Sequence, residues 1–405
     1  MKQPDVLVIG AGPAGTAAAS MLLSAGFDVM IVERTKFPRF VIGESLLPRC
    51  MDILSECGLL EAVTEREFQK KFGAKFTMGD KICDFDFSNQ FTKGWNWTWQ
   101  VPRADFDKTL ADEVERKGAR ILYETSVTGI TFSENEAITD IENTSGKQKI
   151  KSQYVVDGSG YGRVLPRLLN LDKASMMPPR AAVFMHITDQ KRPDNIDGIR
   201  IQIAVFEQDI WGWVIPFSNR NTSVGVVGNI IGKFDKDNCA DFLRGVINSD
   251  PVLKNRFAES DYVLDPQAIT AYAATVSKFY GHRFVLTGNS TEFLDPVFSS
   301  GVTFALESGM VAGKLVAREL RGEKVDWEKD YVLHMKQGVD TFRSYVNGWY
   351  DGTLQKIFFA KNFEQDIKEK ICSVLAGYVW DTSNSFVSKH NTALTSLSKV
   401  IGYYQ

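Results

Sequence analysis

The stretch from Val6 to Glu33 limits the fold more than any other part of the chain. Val6-Leu7-Val8-Ile9 is a short apolar run, suited to a strand buried on both faces of a parallel sheet. It leads into Gly10-Ala11-Gly12-Pro13-Ala14-Gly15 and then the small, helix-favouring residues Thr16 to Leu23. A second run, Asp28-Val29-Met30-Ile31-Val32, closes on Glu33. Together these make a βαβ dinucleotide-binding unit. Gly10 makes the tight turn, Gly12 lets a pyrophosphate approach the backbone, and Gly15 lets helix and strand pack closely. The positive helix end faces the phosphates, and Glu33 is placed to accept hydrogen bonds from a ribose diol. A glycine turn without a ligand would not call for both strands, the helix and the terminal acid at once.

Composition excludes other classes. The 405 residues carry 47 Lys+Arg against 50 Asp+Glu, a net charge of −3, with 44% hydrophobic residues. That balance rules out a disordered chain and a protein that grips nucleic acid through bulk basic charge. Cys50, Cys57, Cys83, Cys239 and Cys372 are scattered, with no CxxC pair, and the histidines form no i,i+4 pair. Neither a disulfide framework nor a metal site is expected. No apolar stretch reaches the ~18 residues of a spanning helix, and no signal-peptide h-region is visible. A cytoplasmic protein without a transmembrane segment is expected.

Two later segments bear on the cofactor. Tyr154-Val155-Val156-Asp157-Gly158-Ser159-Gly160 reads as a strand entering a small-residue turn, and Arg283-Phe284-Val285-Leu286-Thr287-Gly288-Asn289 as another, followed by a long helix from about Val302. With the first unit they resemble the three separated FAD contacts of glutathione-reductase-type flavoproteins, specifically the para-hydroxybenzoate-hydroxylase-like superfamily. The resemblance implies FAD held by Gly10, Gly12, Pro13, Ala14, Gly15, Glu33, Arg34, Asp157, Gly158, Gly288 and Asn289. Where the family usually ends its last motif in Gly-Asp this chain has Gly288-Asn289, so an amide replaces the carboxylate on the ribityl chain. Arg103, with Phe106-Asp107 after it, resembles a flavin-contacting segment. Only one GxGxxG unit is present, so reducing equivalents are expected from a separate flavin reductase.

The expected fold is α/β and discontinuous. A Rossmann-like FAD-binding domain (1–67, 103–175 and 271–325) interleaves with an antiparallel-sheet substrate domain (68–102 and 176–270), ahead of a helical C-terminal region (326–405). Ile199, Ile201, Ile203 and Val205 alternate as on a half-exposed strand, and 104–118 reads as a capped helix ending at glycine. Trp327, Tyr331, Met335, Phe342, Val346 and Trp349 keep near-helical spacing. Beyond Thr382 the chain is polar and weakly periodic, and loose packing is expected there.

Three motifs carry chemistry. In Trp211-Gly212-Trp213-Val214-Ile215-Pro216 the period of two sets both tryptophans and Ile215 on one face, either as core or as a site wall. Phe293-Leu294-Asp295-Pro296-Val297-Phe298-Ser299-Ser300-Gly301 delivers small residues to a helix N-terminus, whose free N–H groups attract an anion. Lys71, within Phe68-Gln69-Lys70-Lys71-Phe72-Gly73, is either an ordinary solvated lysine or one ammonium turned into an apolar pocket, where desolvation lowers its pKa.

At these residues the chain resembles the flavin-dependent halogenases. Trp211-x-Trp213-x-Ile215-Pro216 is similar to their WxWxIP motif, and Phe293-x-x-Pro296-x-x-Ser299-x-Gly301 to their FxxPxxSxG segment. Arg39-Phe40-Val41-Ile42-Gly43-Glu44-Ser45-Leu46-Leu47-Pro48 resembles the stretch after the ribose acid, which adds Glu44, Ser45, Pro296, Gly301 and Val302 to the expected flavin contacts. Phe68-x-x-Lys71-x-Gly73 resembles the surroundings of the catalytic lysine. The resemblance implies that reduced FAD and oxygen give a flavin hydroperoxide, that halide attacks it to form hypohalous acid, and that Lys71 presents this oxidant to an arene. Ser299, Ser300 and Gly301 would hold the halide ion, and Trp211, Trp213, Ile215 and Pro216 would wall flavin from substrate.

The tryptophan-halogenase branch carries a glutamate near Phe298, and its chains are longer. A small phenolic or pyrrolic substrate, free or tethered to a carrier protein, therefore fits better than tryptophan. Trp95, Trp97 and Trp99 fall on one face of an expected strand, packing core or lining a substrate cavity with Phe298. Geranylgeranyl-reductase-like enzymes, aromatic monooxygenases and an electron-transfer flavoprotein share the cofactor motifs and stay open.

Overall fold

Short all-apolar runs become the central strands because both of their faces are covered. The computed structural model describes residues 2–403 apart from 176, 236, 362 and 363. Val6–Ile9, Val29–Val32 and Tyr154–Asp157 are buried at every position. A six-stranded sheet runs in the spatial order Tyr280–Gly281, Phe284–Leu286, Tyr154–Asp157, Val6–Ile9, Val29–Val32, Arg120–Leu122. It is parallel apart from the terminal Tyr280–Gly281. Chain order reverses between Val6–Ile9 and Tyr154–Asp157, which opens a crevice at the carboxyl ends of these two strands. Gly10 and Gly158 meet there: a Cβ on Gly10 (φ +92°) would lie 2.7 Å from the Gly158 carbonyl oxygen.

Helices Pro13–Ser24 and Gly301–Leu320 cross in close contact beside this sheet. Small residues permit the approach, since a Cβ on Gly309 would come within 2.1 Å of the Ala14 carbonyl oxygen and one on Gly313 within 2.7 Å of that of Ala18.

The second sheet has seven strands, ordered Tyr262–Thr270, Ala181–Thr188, Asn221–Gly228, Ile210–Pro216, Ile201–Glu207, Gly73–Met78, Lys81–Asp86. It is antiparallel except where Ile201–Glu207 runs parallel to Gly73–Met78, a pairing that alternation alone does not reveal. Ile199 stands before its strand, and Ala204, on the side expected to face solvent, is buried under helices Cys239–Ile247 and Pro251–Phe257. On the opposite face Phe76, Phe85, Trp211 and Trp213 join the core formed with the C-terminal helices.

Those helices include His334–Tyr350, Thr353–Phe358 and Gln365–Leu375. The segment beyond Thr382 is ordered, against expectation: Ser385–Ser388 and His390–Tyr403 are helical, and Phe386, Val387, Leu394 and Ile401 are buried. Helical spacing of Leu394, Leu397 and Ile401 supplies the apolar stripe, diluted in sequence by serine, threonine and lysine. No described helix is long and apolar enough to cross a membrane.

Candidate active site

A cavity of about 780 Å³ opens from the switch point between the parallel strands and runs to the tryptophan face of the second sheet. The glycine-rich turn supplies Gly10, Gly12, Pro13 and Ala14, and the second strand supplies Glu33 and Arg34. Gly158, Gly288 and Asn289 come from the two later strand ends, with Glu44, Ser45, Arg103, Pro296, Gly301 and Val302 further along. Trp211, Trp213, Ile215 and Ser299 line the far end.

Several expected contacts lie behind this wall and act by holding it. Gly15 packs on strand backbone, where an added Cβ would sit 1.9 Å from the Gly10 carbonyl oxygen. Asp157 is fully buried and does not face the cavity. Its carboxylate accepts from the Ser159 and Leu165 amides and from Ser290 Oγ, fixing the turn after its strand. Pro216 and Ser300 are likewise off the cavity surface. The Ser299 amide donates to the Pro296 carbonyl at 3.0 Å, so it is not free for an anion. The helix closes first from the Phe304 amide to the Ser300 carbonyl, which leaves the earlier N–H groups without intrahelical acceptors.

Trp95, Trp97 and Trp99 do not line the cavity. Only Trp99 lies in a strand; the three rings pack edge to face, 5.8 and 5.1 Å apart, against the core of the parallel sheet. Phe298 is also outside the flavin cavity, packed on Phe342, Tyr345 and Trp349. The tryptophan count drew attention to 95–99, but edge-to-face pairing of bulky rings serves core packing equally well.

Lys71 is 1% exposed. Its strand, Gln69–Lys71, pairs antiparallel with Thr98–Gln100, and Ser45 bridges to Gln100 from the other side. That ribbon turns Lys70 outward and Lys71 inward, where Nζ donates to Ser45 Oγ and to the Leu46 carbonyl, both at 2.8 Å. Burial pushes the amine down to about 7. A neutral amine has two N–H donors and one lone pair, so these two bonds leave the lone pair free. Lys71 does not itself line the cavity, but its partner Ser45 does.

Three side-chain networks escaped the sequence reading. Asp107, fully buried, binds Arg103 through Nε at 2.8 Å and Arg39 through Nη1 at 2.9 Å, and both arginines line the cavity. Arg103 also donates to the Ile42 and Gly43 carbonyls, which pins the loop carrying Glu44. One Glu44 oxygen lies 2.6 Å from His186 Nε2 across the boundary between the sheets, and the other has no partner among the described residues. Buried Asp295 accepts from the Tyr272 and Tyr350 hydroxyls, and Tyr350 accepts from Trp211 Nε1 at 2.9 Å, which fixes that indole. Burial holds the Asp295 carboxyl above its usual value. Arg39 heads the stretch Arg39–Pro48, but its pairing with Asp107 comes through folding alone, and nothing in local spacing announces Tyr272.

These residues suit FAD. The Gly12 position is open on its cavity side, the nearest atom to an added Cβ being Arg39 Nη2 at 3.5 Å. Glu33 accepts from the Ala11 amide and from Thr35, and it stands at the ribose position of the fold. Glu44, whose second carboxylate oxygen has no partner among the described residues, lines the same cavity.

Comparison with known proteins agrees. Residues 3–328 match the FAD binding domain family. The 1H-pyrrole-2-carbonyl-[peptidyl-carrier protein] chlorinase of Pseudomonas fluorescens is 28% identical over 86% of this chain and 82% of its own. A flavoprotein/dehydrogenase from Cytophaga hutchinsonii is 55% identical with a TM-score of 0.96, covering 99% of both chains. The flavin-dependent halogenase CmlS is 26% identical with a TM-score of 0.79, over 91% of this chain and 68% of its own. The chain is an FAD-dependent oxidoreductase of the FAD binding domain family, and it belongs there with the flavin-dependent halogenases.

Proposed function

We propose that the protein halogenates a small electron-rich aromatic, phenolic or pyrrolic, using reduced FAD, oxygen and halide, through Lys71. The observation that carries this reading is the placing of Lys71, a buried amine held by Ser45 and the Leu46 carbonyl one side chain behind the cavity, where burial lowers its pKa. Bound reduced FAD supplies the activation of oxygen by which halide becomes hypohalous acid. The chain's own residues then position and contain. The free amides that open the Gly301–Leu320 helix, where Gly301 and Val302 line the cavity, hold the halide. Trp211, Trp213 and Ile215 wall flavin from arene. The Lys71 lone pair attacks the halogen of the hypohalous acid, the halogen–oxygen bond breaks, and hydroxide leaves with an amine proton as water.

The name of the Pseudomonas chlorinase specifies a pyrrole-2-carbonyl group on a carrier protein. That supports a carrier-tethered pyrrole or phenol as substrate here, with a separate cytoplasmic flavin reductase as the source of reduced FAD. The test is turnover with reduced FAD, oxygen, bromide and a panel of phenols and pyrroles. Brominated product is expected from wild type and none from Lys71→Ala. Hydroxylated product lacking bromine would reassign the protein to the monooxygenases.

A further inference from the structure

Tyr345 and Trp349 stand one helical turn apart on His334–Tyr350, and both are fully buried. Neither Tyr345 Oη nor Trp349 Nε1 has a hydrogen-bond partner among the described residues. Most comparable groups elsewhere are paired, Trp213 with Ser223, Trp211 with Tyr350, Trp327 with Glu319, and Tyr331 with the Leu286 carbonyl, while the Tyr154 hydroxyl is a further unpaired one that stands alone. A buried donor without an acceptor costs about 1–3 kcal/mol, and two neighbouring ones need an explanation.

Their surroundings supply one. Phe298 stands edge-on to both rings, 6.1 Å from Tyr345 and 5.9 Å from Trp349. It directly precedes Ser299, which lines the flavin cavity. Phe87, whose ring lies 5.5 Å from Lys71 Nζ, belongs to the same apolar cluster. The two unpartnered donors thus lie in the same apolar cluster as the Phe87 ring that covers the amine, and they are separated from the cavity lining by Phe298.

We propose that Tyr345 and Trp349 recognise a neutral hydrogen-bond acceptor, a carbonyl oxygen, carried by the aromatic substrate. Indole N–H only donates, so a donor group on the ligand would find no partner there, whereas one carbonyl oxygen has two lone pairs for two donors. The apolar walls disfavour an ionised carboxylate, which selects an ester, thioester, amide or ketone. Entry of the arene turns the Phe298 ring aside. The substrate class rests on the halogenase reading; the acceptor site itself rests on the unpartnered donors.

Methyl pyrrole-2-carboxylate and 2-propylpyrrole have similar shapes and differ in the carbonyl. Each is titrated calorimetrically into the full-length, FAD-loaded wild type, Tyr345→Phe and Trp349→Phe. The ester is expected to bind wild type about tenfold tighter, with most of that preference lost in either variant. Ligand-free Tyr345→Phe is expected to melt higher than wild type, because it removes an unsatisfied hydroxyl without opening a cavity. Equal affinities in wild type, binding of neither compound, an unchanged preference in Tyr345→Phe, or a lower melting temperature for that variant would each overturn the proposal. Turnover with bromide separates the two readings. Brominated product without ester preference keeps the halogenase and removes the acceptor site, while ester preference without brominated product does the reverse.

Discussion

Lys71 shows how folding can hold one side chain far from its ordinary protonation behaviour. Its folded value of about 7 lies below the 10.5 of an exposed lysine. Between those pH values the unfolded chain holds a proton that the folded chain does not, so stability rises with pH across that window and levels off above it. Lys71→Met should therefore be more stable than wild type at pH 7, by about 2–3 kcal/mol. That is less than the full desolvation penalty, because Ser45 and Leu46 lose their donor. The gain should shrink to nothing near pH 10, as urea melts at both pH values would show. On the proposed function, the same shift predicts that the bromination rate rises through about pH 7 as the amine loses its proton, read from a kcat–pH profile. In sequence, Lys71 was one of two adjacent lysines, and only pairing with Thr98–Gln100 decides which points inward. The pairings of Arg39 and Tyr272 were unreadable for a similar reason, since their partners are distant along the chain. Glu33 and the glycines were readable because a turn and a phosphate constrain backbone within a few residues.

At the scale of elements, close approach is governed by positions that lack a side chain. Gly225 faces Trp213 across the sheet, and a Cβ there would lie 2.3 Å from the indole. The placing of the Trp213 ring therefore depends on a glycine one strand away. Gly309 plays the same part between the two helices that border the cavity. Gly309→Ala should cost about 2–4 kcal/mol through overpacking and weaken FAD retention, because both helix N-termini line the site. Thermal melts and fluorescence of released flavin would record the two effects together; a variant that melts like wild type would refute the packing role. Four strands of the first sheet, Val6–Ile9, Val29–Val32, Tyr154–Asp157 and Phe284–Leu286, and the Gly301–Leu320 helix were legible from apolar runs and small residues, whereas Arg120–Leu122 and Tyr280–Gly281 were not. The final helix was not, because three apolar positions among polar neighbours give a weak periodic signal until the core they cover is known.

Across the whole molecule, the two sheets are coupled where Glu44, in the loop after Val29–Val32, meets His186 of the second sheet. His186→Leu leaves the Glu44 carboxylate buried without any protein partner, at a cost of about 2 kcal/mol, and should weaken FAD binding by loosening the loop that Arg103 also holds. Equilibrium dialysis of FAD against His186→Leu and Arg103→Ala would measure this, and undiminished affinity in His186→Leu would show that the link is incidental. The interleaved architecture was readable because the three cofactor segments are separated by strand-rich sequence that no single βαβ series accommodates.

That interleaving has a consequence during synthesis. The crevice needs Val6–Ile9, Tyr154–Asp157 and Phe284–Leu286 side by side, so a nascent chain cannot capture its cofactor before the last of these has left the ribosome. Every chain that stops short of Phe284–Leu286 therefore lacks one strand of the crevice and is expected to leave the cofactor unbound.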